Sequence, residues 1–273
     1  AIAMGCLALN RATVYLRDVE LHVIGEATPV QPASPARTLS DRELANVAAA
    51  ARLVNLVRFF HPSDQAQDVG DWGPLAVSLM DAAEPATDAQ DLAHRLRNAV
   101  APVAPGIEIW AGPPGDAPPL PPVPPEAVAT VSWMHIGAGS ASTMPAVQAI
   151  YRSTVQRAPL PPPGADGRPA VAPEAWFAVR DLGGGVSCRV PLHVMVDERG
   201  SLPRLEGDPD ASEAQTLNVL NRSTRLATVA LGWGVFQHFY PYFDAVPDDW
   251  STALDTALRS AAEADDEVEL LDT

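Results

Sequence analysis

The groups in this 273-residue chain that could do chemistry are six histidines, two cysteines and several paired carboxylates. A metal site or an acid/base pair needs such groups at fixed spacing, either one turn apart on a helix or facing across strands. His22, His61, His94, His135, His193 and His238 supply no H-E-x-x-H and no pair on one helix face. His61 with Asp64 is the best local pair, and its plainer reading is a helix-end histidine bonding to the turn. His135 and His193 could meet Cys188 across strands as a His/Cys site, although alternating strand positions more often fill a core. Cys6 and Cys188 spell no CxxC and allow at most one bridge. Gly137-Ala138-Gly139-Ser140-Ala141-Ser142 offers bare amides to an anion. It lacks the third glycine of a dinucleotide fingerprint, and Pro145 stands where the helix would open, so a plain turn is expected. Ser140 and Ser142 have no G-x-S-x-G frame, and Gly183-Gly184-Gly185 reads as a β turn or bulge. Asp248-Asp249 and Asp265-Asp266 read as helix caps rather than catalytic carboxylates. No catalytic residue, cofactor site or metal site is assigned.

Composition narrows the chemistry further. All 18 basic residues are arginine, so a Schiff-base lysine, a P-loop lysine and a Ser/Lys dyad are absent from the chain. A formal net charge of −16 repels phosphate backbones, which argues against nucleic acid as a partner. With 47% hydrophobic and 19% charged residues the chain can build a core, and no apolar run of about 18 residues predicts a membrane span.

The positioning elements follow from periodicity and caps. Ser40-Asp41-Arg42-Glu43 is a capping box for a helix to about Phe60, with Leu44, Val47, Ala51, Val54 and Val57 on one apolar face. His61-Pro62 stops it. Asp71 caps a second helix carrying Trp72, Leu75, Leu79 and Ala83, and Thr87-Asp88-Ala89-Gln90 opens a third through Leu92, Leu96 and Val100. A Pro- and Gly-crowded connector then holds one short strand at 107–110, and strands are expected at 127–136, 147–155, 175–180 and 186–196. Ser212 and Gln215 form another capping box before a long helix bearing Leu217, Leu220, Thr224, Ala227, Leu231, Val235 and Phe239. The chain repeats itself there. Phe60-His61-Pro62 corresponds to Phe239-Tyr240-Pro241, and Asp71-Trp72 to Asp249-Trp250. The aromatic-Pro corners Phe60, Pro62, Trp72 and Phe239, Tyr240, Pro241, Trp250 are therefore expected to pack helix pairs rather than to react.

The expected fold is α+β, with two helical units flanking a small β-rich region and residual β-sandwich strands at the N-terminus. The predicted divisions are 1–30 for the end of a sandwich module, 31–39 for a linker, 40–101 for the first helical unit, 102–126 for a Pro-rich connector, 127–205 for the β-rich region and 211–273 for the second helical unit. The sandwich and the second unit both read as cut short.

Two strings, Arg58-Phe59-Phe60-His61-Pro62-Ser63-Asp64 with Asp71-Trp72 and Gln237-His238-Phe239-Tyr240-Pro241-Tyr242-Phe243-Asp244 with Asp248-Asp249-Trp250, carry a family resemblance. With Trp133-Met134-His135-Ile136-Gly137 and Leu182-Gly183-Gly184-Gly185-Val186-Ser187-Cys188-Arg189-Val190-Pro191, they resemble the non-catalytic N-terminal region of bacterial S41 peptidases. That family comprises C-terminal processing and tricorn-type serine proteases, and the likeness covers roughly residues 40–273. It implies that PDZ-like and catalytic domains follow, that the nucleophilic serine lies there, and that the location is periplasmic or extracellular. No position here matches the family's catalytic motifs, so no catalytic residue is carried over. The expected function is an accessory scaffold that positions the catalytic domain or a substrate polypeptide. The alternative is a module binding carbohydrate or a small ligand, with Trp133 or Trp176 at the site.

Overall fold

The computed structural model describes residues 30–136, 152–160, 174–204, 216–243 and 250–273. Helix α1 (Asp41–Phe60) begins on the expected box: Ser40 Oγ accepts from the Glu43 amide, and the Glu43 carboxylate accepts from the Ser40 amide at 2.7 Å. The single apolar face is a correction, because residues 46–51 are all buried and α1 is enclosed on every side. Four consecutive alanines, Ala48 to Ala51, make this possible by adding almost no bulk between packed elements. Around α1 lie α3 (Gly73–Ala83), α4 (Ala89–Val100), α5 (Arg222–Phe239) and α6 (Trp250–Glu263).

Two of the next caps differ from expectation by one residue. Trp72 occupies the N-cap of α3, while Asp71 accepts from the Gly73 amide at 2.8 Å and Pro74 fills the first turn. Asp88, not Thr87, caps α4, accepting from the Gln90 and Asp91 amides at 2.9 Å. Between α1 and α3, Ser63 caps a short helix, α2 (Asp64–Gln67), that the sequence reading did not contain. Helix α5 starts on Asn221, so Leu217 and Leu220 precede it, and the expected box at Ser212 and Gln215 lies outside the described residues. A last helix, α7 (Glu267–Leu271), is capped by Asp266.

Two antiparallel sheets complete the α+β fold. The inner one has the order β1-β5-β4, from β1 (Glu108–Ala111), β4 (Phe177–Gly183) and β5 (Val186–Pro191), and packs on α1 and α4. The outer one has the order β3-β2-β6, from β2 (Ala129–Ile136), β3 (Arg152–Pro159) and β6 (His193–Val196). The single strand expected at 186–196 is thus two strands in different sheets. Pro191 has no N–H for the ladder, and the Leu192 amide turns to Trp176 O at 2.7 Å, so the chain leaves one sheet for the other. Gly183, Gly184 and Gly185 all have positive φ, and they form the β4–β5 turn. Part of the expected strand 147–155, the loop 137–151, the N-terminal sandwich strands and Asp248-Asp249 lie outside the described residues.

The helical units flank the β segments in sequence but pack on each other in space. One buried cluster runs from Leu44 and Leu53 of α1 through Leu79 and Leu96 to Leu226 of α5 and Leu258 of α6. A second, smaller cluster of Ala129, Val131, Val194 and Val196 lies under the outer sheet. Glu84, at the end of α3, joins the units electrostatically by accepting from Arg37 Nη2 at 2.5 Å and Arg222 Nη2 at 2.7 Å. Among the described residues no helix is long and apolar enough to cross a membrane.

Candidate functional site

Three of the strings that carry the resemblance, those at 58–64, 133–136 and 237–243, meet at the C-terminal end of α1, while the turn of the fourth, at 182–191, packs on Ala45 and Arg52 further up the helix. A helix end leaves its last carbonyls without internal partners. Here β2 supplies them: His135 Nε2 donates to Phe59 O, and the Trp133 indole N–H donates to His61 O at 3.1 Å. That bond fixes the proton of His135 on Nε2, so Nδ1 accepts from Ser153 Oγ at 2.7 Å. Trp133 and His135 stack at 5.5 Å. The second corner arrives from α5: Phe239 meets Phe59 edge-on at 4.9 Å and His135 at 5.7 Å, while His238 meets Phe60 at 5.0 Å. Edge-to-face pairs of this kind contribute on the order of 1 kcal/mol each beyond simple burial.

Each corner residue has a definite place. Phe60 is half-buried between His135 and His238, and Pro62 is buried with its carbonyl accepting from Gln67 Nε2. Trp72 and Trp250 pack against the shared core from its edge, and the Trp250 carbonyl accepts from the Trp233 indole. Tyr240 and Pro241 are exposed, and Tyr240 packs on Tyr242 and Phe243 at the surface instead of between helices.

His61 does not pair with Asp64. Asp64 holds Ser201, giving its backbone N–H to Ser201 Oγ at 2.9 Å and accepting the Ser201 amide at 2.8 Å. His61 is fully buried; Nε2–H donates to Pro105 O at 3.1 Å, which leaves Nδ1 as an acceptor beside Ser63. Ser63 Oγ lies 2.9 Å from Val103 O and cannot also serve His61 with its single proton. The histidine is a rivet between the corner and the connector. Burial pushes its pKa down to about 4 from the usual 6.5.

This has a measurable consequence. The unfolded chain takes up a proton near pH 6.5 while folded His61 resists until about 4, so its contribution is complete above 6.5 and is lost progressively toward 4. The loss is on the order of 3 kcal/mol. Urea midpoints measured at pH 7 and 4.5 should fall steeply for the native chain and less for His61→Gln; equal slopes would remove His61 as the cause.

The remaining candidates separate. Cys188 lies in the inner sheet with a free, buried thiol pushed up to about 12, whereas His135 and His193 belong to the outer sheet, where His193 stacks on Trp176. Among the described residues no cluster of His, Cys, Asp and Glu could hold a metal ion. Burial lowers the pKa of His135 despite its bond to Phe59 O. It also brings His238 down to about 4, with repulsion from Arg180 and His135 adding to the effect. The cluster is thus neutral at pH 7. That Trp133 and His135 end a helix has no signal in their own sequence neighbourhood, where they stand only as one of the strings of the family resemblance. No family model, curated protein or solved structure matches this chain.

Proposed function

We propose that the chain is the non-catalytic platform of an S41-type serine peptidase, seating downstream PDZ-like and catalytic domains or a substrate polypeptide in the periplasm or outside the cell. One observation carries the reading. The aromatic corners of α1 and α5 and the Trp-Met-His string of β2, far apart in sequence, interlock at one helix end through two side-chain-to-carbonyl bonds and a ring of edge-on aromatics. Side chains so engaged rigidify a scaffold and leave little free to react. The test uses a fluorophosphonate probe and labelled casein. The 273-residue chain should neither take the label nor cut casein, while the intact peptidase is labelled on a serine of its catalytic domain. A labelled serine within the chain, or a parent protein without those domains, refutes the proposal.

A specific feature keeps the second reading in view. A cleft of about 260 Å³ between the connector and β5–β6 is lined by Phe177, Met195, Leu202, His193 and several prolines, apolar enough for a small ligand. Trp176, stacked on His193, would report its filling by fluorescence.

A further inference from the structure

We propose that the groove between α1, β4 and α5 binds a small carboxylate carried on an apolar body. The groove encloses about 230 Å³ and is walled by Arg52 and Leu56 of α1, Arg180 and Asp181 of β4, and Trp233 and His238 of α5. That is below the range of drug-sized sites and suits a compact ligand. Among the described residues neither guanidinium has a carboxylate partner, although acidic groups outnumber basic ones almost two to one in the chain. Each is instead steadied by one backbone carbonyl, Arg52 Nη1 by Leu182 O and Arg180 Nη1 by Val179 O, both at 2.8 Å. Most of each fork is left unspent. A planar fork with spare donors matches a carboxylate in shape as well as charge.

The rest of the wall selects the ligand. Trp233 gives its N–H to Trp250 O, so its ring contributes apolar surface, as does Leu56. Asp181 spends one oxygen on the Gly183 amide at 2.8 Å and leaves the groove with a single net positive charge. A monoanion therefore fits better than phosphate. The hairpin turn also sits tightly: a Cβ on Gly183 would lie 2.9 Å from Arg52 Nη1. This inference holds whether or not the chain belongs to a peptidase.

Calorimetry on the full chain at low salt tests it with N-acetyl-phenylalanine, 3-phenylpropionate, the carboxamide of N-acetyl-phenylalanine and inorganic phosphate. At least one carboxylate should saturate the groove, with carboxamide and phosphate weaker by about tenfold or more. Binding of N-acetyl-phenylalanine alone identifies a polypeptide end as the source; binding of both acids identifies apolar acids at large. Arg180→Gln, at an exposed position, should weaken binding about tenfold without moving the melting temperature. Arg52→Gln should do the same to affinity, and the imidazole proton signal of His238 should shift on saturation. Equal binding of acid and carboxamide, equal binding of phosphate, no saturation, or full affinity in Arg180→Gln overturns the proposal.

Discussion

Gly234→Ala is expected to lower stability by about 3 kcal/mol, the reverse of what glycine-to-alanine does in most helices. At this position a Cβ would lie 1.9 Å from Cγ of Asn55, where α5 crosses α1. Asn55 is fully buried and cannot swing aside cheaply, because its Nδ2 donates to Ala51 O in its own helix and to Ala230 O in α5, both at 2.8 Å. Relief means breaking the bond between helices in the dry core, or separating two close-packed helices. Chemical denaturation checks the size of the effect, and the double variant checks its origin. Asn55→Ala clears the space, so Gly234→Ala made in that background should cost about 2 kcal/mol less than it does alone. Strict additivity would place the damage elsewhere.

Arg225→Ala should be the more severe change, about 4 kcal/mol, a large share of the total stability of a domain. Arg225 is 1% exposed and among the described residues forms no ion pair, Asp265 acting on it only by longer-range attraction against the cost of burial. Its guanidinium collects backbone carbonyls: Nε donates to Ala261 O at 2.8 Å, Nη1 to Val219 O at 3.3 Å and Nη2 to Ala262 O at 3.4 Å. Two of these belong to the last turn of α6, where unpaired carbonyls and the helix dipole place negative charge, so a buried cation is accepted there. Truncation removes the donor from Ala261 O and Val219 O, while Ala262 O keeps the Arg37 amide at 3.1 Å, and it leaves a void. The melting temperature should drop by about ten degrees or the chain should fail to fold. Arg225→Lys, which keeps the charge but not the fork, should fall between the two. A melting temperature unchanged in Arg225→Ala would contradict this account of the α5–α6 packing.

Local signals were the legible ones. The Ser40–Glu43 box and the Pro62 stop act through neighbours in sequence, and α1 obeys both. The start of α5 was misread because Leu217, Leu220 and Thr224 continue a helical spacing. Yet Thr216 and Leu220 are held in extended or turning chain by backbone bonds from Gln31 and Ser34. Nothing near residue 216 in sequence announces that partnership. Pro191 did announce the break between β5 and β6, through its missing N–H, although β-branched Val186, Val190, Val194 and Val196 continue a strand-like composition across it. The convergence of Arg52 and Arg180 on one groove across 128 positions had no local trace, since an arginine in mid-helix or mid-strand ordinarily looks like a solvated one. Likewise His135 as a helix-ending donor is visible only once β2 lies beside α1.

That last contact ties the outer sheet to the helical body. Its own aliphatic cushion is small, while β2 is moored to the tip of α1 through Trp133 and His135. A pull on β2 or β3 therefore travels along these moorings to the final turn of α1. There the first strain would fall on Phe59, and through it on the aromatic neighbours that α5 contributes.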